Sequence, residues 1–265
     1  MKTGSQASFH VKQSTIAQCF SLAASDYQRH DVVQRSTAKH LLNSINASGR
    51  LLDLGCGPGT DFSALSGVSD VVAVDIAPGM LNQLGITQPE QIPLCADAQA
   101  LPLKNDSVAL VYSNLALQWC EDLQSAVAEI ERVLQPNGEC HLAIVGHGSL
   151  DELKQLGLRV NDFNHLDRIN ACFDAQQWQQ LTIVCQEFTV FFDELKPLLY
   201  SIKGVGASVR ATTDNASQQA RLRGRQDWQQ LTSRAEAIRQ PQGLPLTYQI
   251  MIVRGKLVGE PCAIL

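Results

Sequence analysis

The sequence predicts an α/β fold: a mostly parallel, seven-stranded sheet held between helices in three layers and finished by an antiparallel edge strand. Three observations lead there. Five short apolar runs alternate with helical patterns through residue 145. Those runs are continuous, as in strands buried on both faces, and do not alternate with polar residues. Beyond residue 180, two more strand-like runs flank a segment rich in Gln, Arg and Ala, an arrangement that ends a sheet with an antiparallel edge and sets a helical cap beside it.

In chain order, residues 12–48 read as helical, with Gly49 as a stop. Leu51–Leu54 is a buried strand leading into a glycine-rich turn, and Val71–Val74 is a second strand closed by Asp75. Ile92–Cys95, Val108–Ser113 and Cys140–Val145 follow, the last after the turn residues Gln135-Pro136-Asn137-Gly138. Helices are expected over 60–66, 78–84 and 122–134. Thr182–Phe192 and Tyr248–Val253 complete the sheet around helices in 193–240. One domain is expected over 1–265: an N-terminal helical lid (12–48), a cofactor-binding core (49–192), a helical cap insertion (193–240) and a final strand and tail (241–265).

Composition bounds the function. With 45% apolar and 18% charged residues the chain can build a sizeable core. No uninterrupted apolar stretch approaches the roughly 18 residues of a spanning helix. The start, MKTGSQASFHVKQ, has no apolar leader, so the expected location is cytoplasmic, with no membrane partner. The eight cysteines form no CxxC pair and read as reduced core thiols, with no disulfide framework and no obligate metal. A net charge of −5 argues against nucleic acid as a partner. The charge is uneven: residues 201–240 hold seven basic and three acidic side chains, a basic patch that suits an acidic partner or a solvated helical face.

The strongest local signal is Leu52-Asp53-Leu54-Gly55-Cys56-Gly57-Pro58-Gly59-Thr60. Gly55, Gly57 and Gly59 follow a strand and are expected to open a helix, where glycine lets the backbone turn tightly and approach a ligand. Asp75, twenty positions after Gly55, ends the next strand, where a carboxylate accepts both ribose hydroxyls of an adenosine. A dinucleotide fingerprint needs glycine where Thr60 stands, which argues against an NAD-dependent oxidoreductase. The turn suits an adenosine followed by an amino acid. Asp97, after the third strand, is a candidate acceptor for the adenine amino group or a turn residue, and Asn114 ends the fourth strand on the ligand side of such sheets.

Together these pieces, from Leu51 to about Val145 and including the Leu134–Glu139 turn LQPNGE, resemble the class I (Rossmann-like) S-adenosylmethionine-dependent methyltransferases. The resemblance implies S-adenosylmethionine as cofactor and S-adenosylhomocysteine as product. It gives Gly55, Gly57 and Gly59 the methionine portion, Asp75 the ribose and Asp97 the adenine. Asp53, Cys56, Ile76, Met80, Ala98, Asn114, Leu115 and Trp119 are expected to complete the cofactor site.

Further segments narrow the family. Ser113-Asn114-Leu115-Ala116-Leu117-Gln118-Trp119-Cys120, Leu195–Ala207 with its SIKGVGA end, Pro245-Leu246-Thr247-Tyr248, and Phe20 with Tyr27-Gln28-Arg29-His30 and Gln34-Arg35 resemble the malonyl-acyl-carrier-protein O-methyltransferases of biotin synthesis. The resemblance implies esterification of the free malonyl carboxylate on an acidic carrier protein, an early step toward the pimeloyl chain. Related enzymes acting on a small carboxylic acid or a quinone precursor share the core motifs, so the cap must separate them. A cofactor-binding regulator without turnover also fits the core.

The chemistry implied is in-line attack of a carboxylate oxygen on a sulfonium methyl. A malonyl carboxylate is ionised at neutral pH, so no catalytic base is nominated. Alignment can supply on the order of 7–11 kcal/mol. Tyr27, Lys203 and Arg210 are the positioning candidates. Gln118, His147, Lys203, Arg210, Arg221 and Arg223 are the candidates for substrate or carrier docking.

Overall fold

The computed structural model describes residues 4–207 and 224–259, with side chains from residue 13 onward. Arg210, Arg221 and Arg223, and with them most of the basic patch's centre, lie outside the described residues.

The expected N-terminal helical region is three pieces: α1 (Gly4–Ala23), a 3-10 turn at Tyr27–Arg29 and α2 (Val32–Leu42). Then come β1 (Gly49–Leu54), β2 (Val68–Asp75), α3 (Pro78–Thr87), β3 (Ile92–Cys95), β4 (Val108–Asn114), α4 (Leu123–Val133) and β5 (Leu134–Val145). Two five-residue helices, α5 (Asp151–Gln155) and α6 (Leu166–Asn170), precede β6 (Trp178–Phe192). The cap residues described are α7 (Leu195–Lys203) and α8 (Arg225–Ala237), and β7 (Leu244–Leu257) closes the sheet.

The seven strands run in the order β3-β2-β1-β4-β5-β7-β6. The first five pair in parallel; β7 is antiparallel to both β5 and β6. The antiparallel edge is therefore a pair, with the reversed strand β7 one place in from the outermost β6. The core lies on both faces of the sheet. Leu54, Val74 and Val111 pack with Val127 and Ile130 of α4 on one side. Leu51, Leu110 and Ile250 pack with Leu41 of α2, Leu198 of α7 and Leu231 of α8 on the other. Helix α4 illustrates how the sequence writes this: Asp122 caps the N–H groups of Gln124 and Ser125, and Leu123, Ala126, Val127, Ile130 and Val133 fall on one buried face.

Several expectations need correction. Residues 60–66 form no helix. The Asp61 carboxylate accepts the Ser63 N–H and Leu65 N–H bonds Phe62 C=O, so the segment is spent in turns before Gly67. The turn at Gln135–Gly138 is absorbed into β5 as a bulge: Val108 pairs Leu134, but Leu110 already pairs Glu139. The seven described cysteines are free thiols, yet only Cys56 and Cys140 are buried, while Cys95 and Cys185 are exposed. Among the described residues, no helix is long and apolar enough to cross a membrane.

Candidate active site

Strand order reverses between β1 and β4, and a cleft opens there at the carboxyl ends of β1, β2, β3 and β4, where open α/β sheets place ligands. It holds about 770 Å³ of space between protein atoms, part of it open to solvent. Its floor is the backbone of Gly55 and Gly57; Asp75 and Ile76 continue from β2, Asp97 and Ala98 from β3, and Asn114 and Leu115 from β4. Met80 and Trp119 complete the sequence-expected part of the wall. Helix α1 and Tyr27 form the roof.

The three glycines of the turn meet different surroundings. Gly55 has φ +74°, and a methyl there would lie 2.1 Å from Ala116 Cβ. Gly57 has φ +55° and open space, its nearest neighbour being the Tyr27 ring at 4.0 Å. Gly59 faces the other way: a methyl would strike Leu84 Cδ1 of α3 at 2.7 Å, so this position serves helix packing and does not line the cleft. Asp53 and Cys56 also lie behind the turn and away from the wall; both are buried, and Cys56 N–H bonds Val74 C=O.

Asp75 ties the turn to β2. Its Oδ2 accepts Gly57 N–H at 2.9 Å and its Oδ1 accepts Ala77 N–H at 2.7 Å. Burial raises its pKa, opposed by these backbone donors. Asp53 is pushed up to about 8 by burial first and by Asp75 second, so it is protonated at neutral pH. The Tyr27 phenol is raised by burial and then by Asp31, Asp75 and Asp53, so it stays neutral and keeps its proton as a donor. The Cys120 thiol, also in the wall, is pushed up to about 12 by burial and by Asp97, which leaves it unreactive.

Leu115 sits at φ +53°, an unusual conformation for a bulky residue, held by its N–H bond to Ala143 C=O at 2.8 Å. Asn114 beside it binds α2 at both ends of its amide: Thr37 Oγ1 donates to its Oδ1 at 2.7 Å and its Nδ2 donates to Gln34 C=O at 2.9 Å. Among the described residues, the wall contains no Lys or Arg.

The docking candidates among the described residues sit elsewhere. Gln118 is used inside the fold, donating to Leu115 C=O and accepting Val145 N–H. His147 is exposed and stacks on His165 with ring centroids 3.8 Å apart. Lys203 is exposed outside the cleft, its Nζ 5.8 Å from the Tyr200 ring centre, with Lys196 Nζ at 6.0 Å from the same ring. That ring lies 5.9 Å from His30, and Gly206 packs on Phe20 of α1, so the cap adjoins the roof.

Sequence reasoning missed Gln13, Ile16, Gln99 and Ala116 in the wall. The signal for the first two was present: Gln13, Ile16 and Phe20 share one helical face.

The wall fits an adenosine carrying a cation. Two carboxylates line it, neutral donors surround them, and at Gly57 the space a side chain would take is left free. The chain also has relatives among known proteins. Residues 52–142 match the family described as "Methyltransferase domain". The chain is 34% identical to a malonyl-[acyl-carrier protein] O-methyltransferase of Alcanivorax borkumensis, covering 92% of this chain and 86% of that one. It is 33% identical to the biotin biosynthesis bifunctional protein BioHC of Cellvibrio japonicus over 91% of this chain, and spans 49% of that longer protein. Among solved structures, the YcgJ protein of Bacillus subtilis has the same fold, with a TM-score of 0.55 at 19% identity, covering 84% of this chain and all of that one.

Proposed function

This chain belongs to the malonyl-[acyl-carrier protein] O-methyltransferases, and from that premise we infer that it methylates the free carboxylate of malonyl-acyl-carrier protein, using S-adenosylmethionine, in biotin synthesis. The observation that carries this reading is the extent of the likeness. It takes in 92% of the chain, well beyond the methyltransferase core at 52–142 that enzymes with other acceptors share.

In the proposed arrangement, Gly55 and Gly57 bring backbone against the methionine portion, Asp75 accepts the ribose hydroxyls with its remaining lone pairs, and Asp97 accepts the adenine amino group. Ile76, Met80, Ala98, Leu115 and Trp119 supply apolar walls. The bound donor supplies a methyl group made electrophilic by its sulfonium. The protein's task is then to align an anion and to exclude water.

Tyr27 suits that task. Its ring covers Gly57, and its neutral hydroxyl can donate to an incoming carboxylate without taking its charge. Burial excludes water that would otherwise stabilise the separated charges of the ground state. Lys196 and Lys203, flanking Tyr200 on α7 beside the roof, are placed to receive an acidic carrier.

The test is mass spectrometry of malonyl-carrier incubated with the enzyme and methyl-labelled S-adenosylmethionine. The expected product is carrier bearing one labelled methyl ester. Methylation of free small acids with none on the carrier would replace this reading with a small-molecule enzyme.

A further inference from the structure

Asp97 is fully engaged with donors. Its Oδ1 accepts the Gln99 backbone N–H at 3.0 Å and Gln99 Nε2 at 3.0 Å, and its Oδ2 is 3.3 Å from that same Nε2. The shortest bond comes from a distant element: Gln13 Nε2 of α1 donates to Oδ2 at 2.7 Å. An amide NH2 on a carboxylate is the chemistry that the exocyclic amine of adenine would offer. The carboxylate's two oxygens offer about four acceptor sites, all occupied by Gln99 and Gln13, so the adenine amine must take the place of one of these donors.

Helix α1 is anchored beside α3. Near its end, backbone approaches backbone. Gly79 N–H bonds Ser21 Oγ at 3.1 Å, and a methyl at Gly79 would lie 2.6 Å from Ser21 Cα. Phe20 packs edge-on against Trp119, with centroids 5.4 Å apart, and its backbone is 3.0 Å from where a methyl on Gly206 would lie. These contacts fix the helix around Phe20 and Ser21. Two turns earlier, Gln13 reaches Asp97 in the wall of the cleft.

We propose that Gln13 is an access-determining residue of the cofactor site, a side-chain amide that stands in for the adenine amino group on Asp97 and latches α1 over the adenine end of the cleft. The nucleoside gains its bond to Asp97 only by displacing Gln13, so cofactor binding and release are coupled to movement of the Gln13 side chain on α1. The inference rests on the assignment of Asp97 to adenine.

The test is binding of S-adenosylhomocysteine to the full chain, by calorimetry and stopped flow. Gln13→Ala removes the competitor. Association should quicken and the dissociation constant should fall about tenfold, the worth of one charge-assisted hydrogen bond no longer broken on binding. Gly79→Ala, which forces α1 away from α3 without touching Asp97, should also quicken association. Asp97→Asn should weaken binding, and in that background Gln13→Ala should bring no gain. Unchanged or weaker binding by Gln13→Ala, with Asp97→Asn impaired, overturns the latch. Wild-type binding by Asp97→Asn overturns the adenine assignment instead.

Discussion

One methyl group placed at Gly55 and at Gly57 separates two jobs of the same turn. At Gly55 an alanine would hold φ +74° and place its Cβ 2.1 Å from Ala116 Cβ. The left-handed backbone costs an L-residue about 1–2 kcal/mol. Overpacking adds roughly 1–3 kcal/mol. The sum, about 2–5 kcal/mol, corresponds to a Tm lower by roughly 4–20 °C in a domain of this size. At Gly57 the backbone cost alone applies, because the nearest atom is 4.0 Å away. Gly57→Ala should therefore melt only a few degrees low, about 2–8 °C. Its methyl, however, occupies space in the cleft floor, and S-adenosylhomocysteine affinity should drop at least about tenfold by calorimetry. Wild-type affinity in a folded Gly57→Ala protein would refute the claim that this turn holds the cofactor. An unchanged Tm for Gly55→Ala would refute the packing argument.

Other outcomes follow from the site's electrostatics and cap. Asp53, raised to about 8, holds a proton in the folded state that the unfolded chain loses near pH 4. The folded state thus binds more protons between those values, and stability falls as pH rises across that window. Asp53→Asn, measured by denaturant unfolding from pH 4 to 9, should flatten that fall by an amount on the order of a few kcal/mol; an unchanged slope contradicts the assignment. Tyr27→Phe keeps the ring over Gly57 but removes the donor, so kcat should drop about tenfold with KM for S-adenosylmethionine and Tm nearly unchanged. Full activity would remove Tyr27 from substrate positioning. Lys196→Glu with Lys203→Glu should raise KM for malonyl-carrier about tenfold at low salt, less at high salt, and leave malonyl-CoA unaffected. Equal losses on both substrates would place these lysines elsewhere in the mechanism.

The sequence was most legible where burial is two-sided. Leu51, Leu52 and Leu54 of β1 and Val108, Leu110 and Val111 of β4 are almost wholly buried, so each strand is written as an apolar run. Asp75 and Asn114 were legible for the same reason: each is the polar residue that ends such a run at the ligand side. Residues 60–66 misled because a helix was expected between the first two strands, but the segment is only a few residues long before Gly67 and its Asp61 closes a turn on Ser63. The start of β6 was hidden by a bulge: Gln179 pairs Lys256, Thr182 pairs Arg254, and Gln180 between them has φ +55°. Helices α5 and α6, at five residues each, are too short for a helical period to emerge. Gly59 shows how a motif can fuse two roles, since the same spacing that brings Gly57 to the cleft turns Gly59 toward Leu84. The bond from Gln13 to Asp97 spans 84 positions, and nothing local announces it.

The most direct measurement is a crystal structure of the chain with S-adenosylhomocysteine. The account predicts both ribose hydroxyls on the Asp75 carboxylate, the homocysteine against the backbone of Gly55 and Gly57, and the adenine amine on Asp97 with Gln13 turned away. A nucleoside bound outside this cleft, or lying in it without touching Asp75, would contradict it.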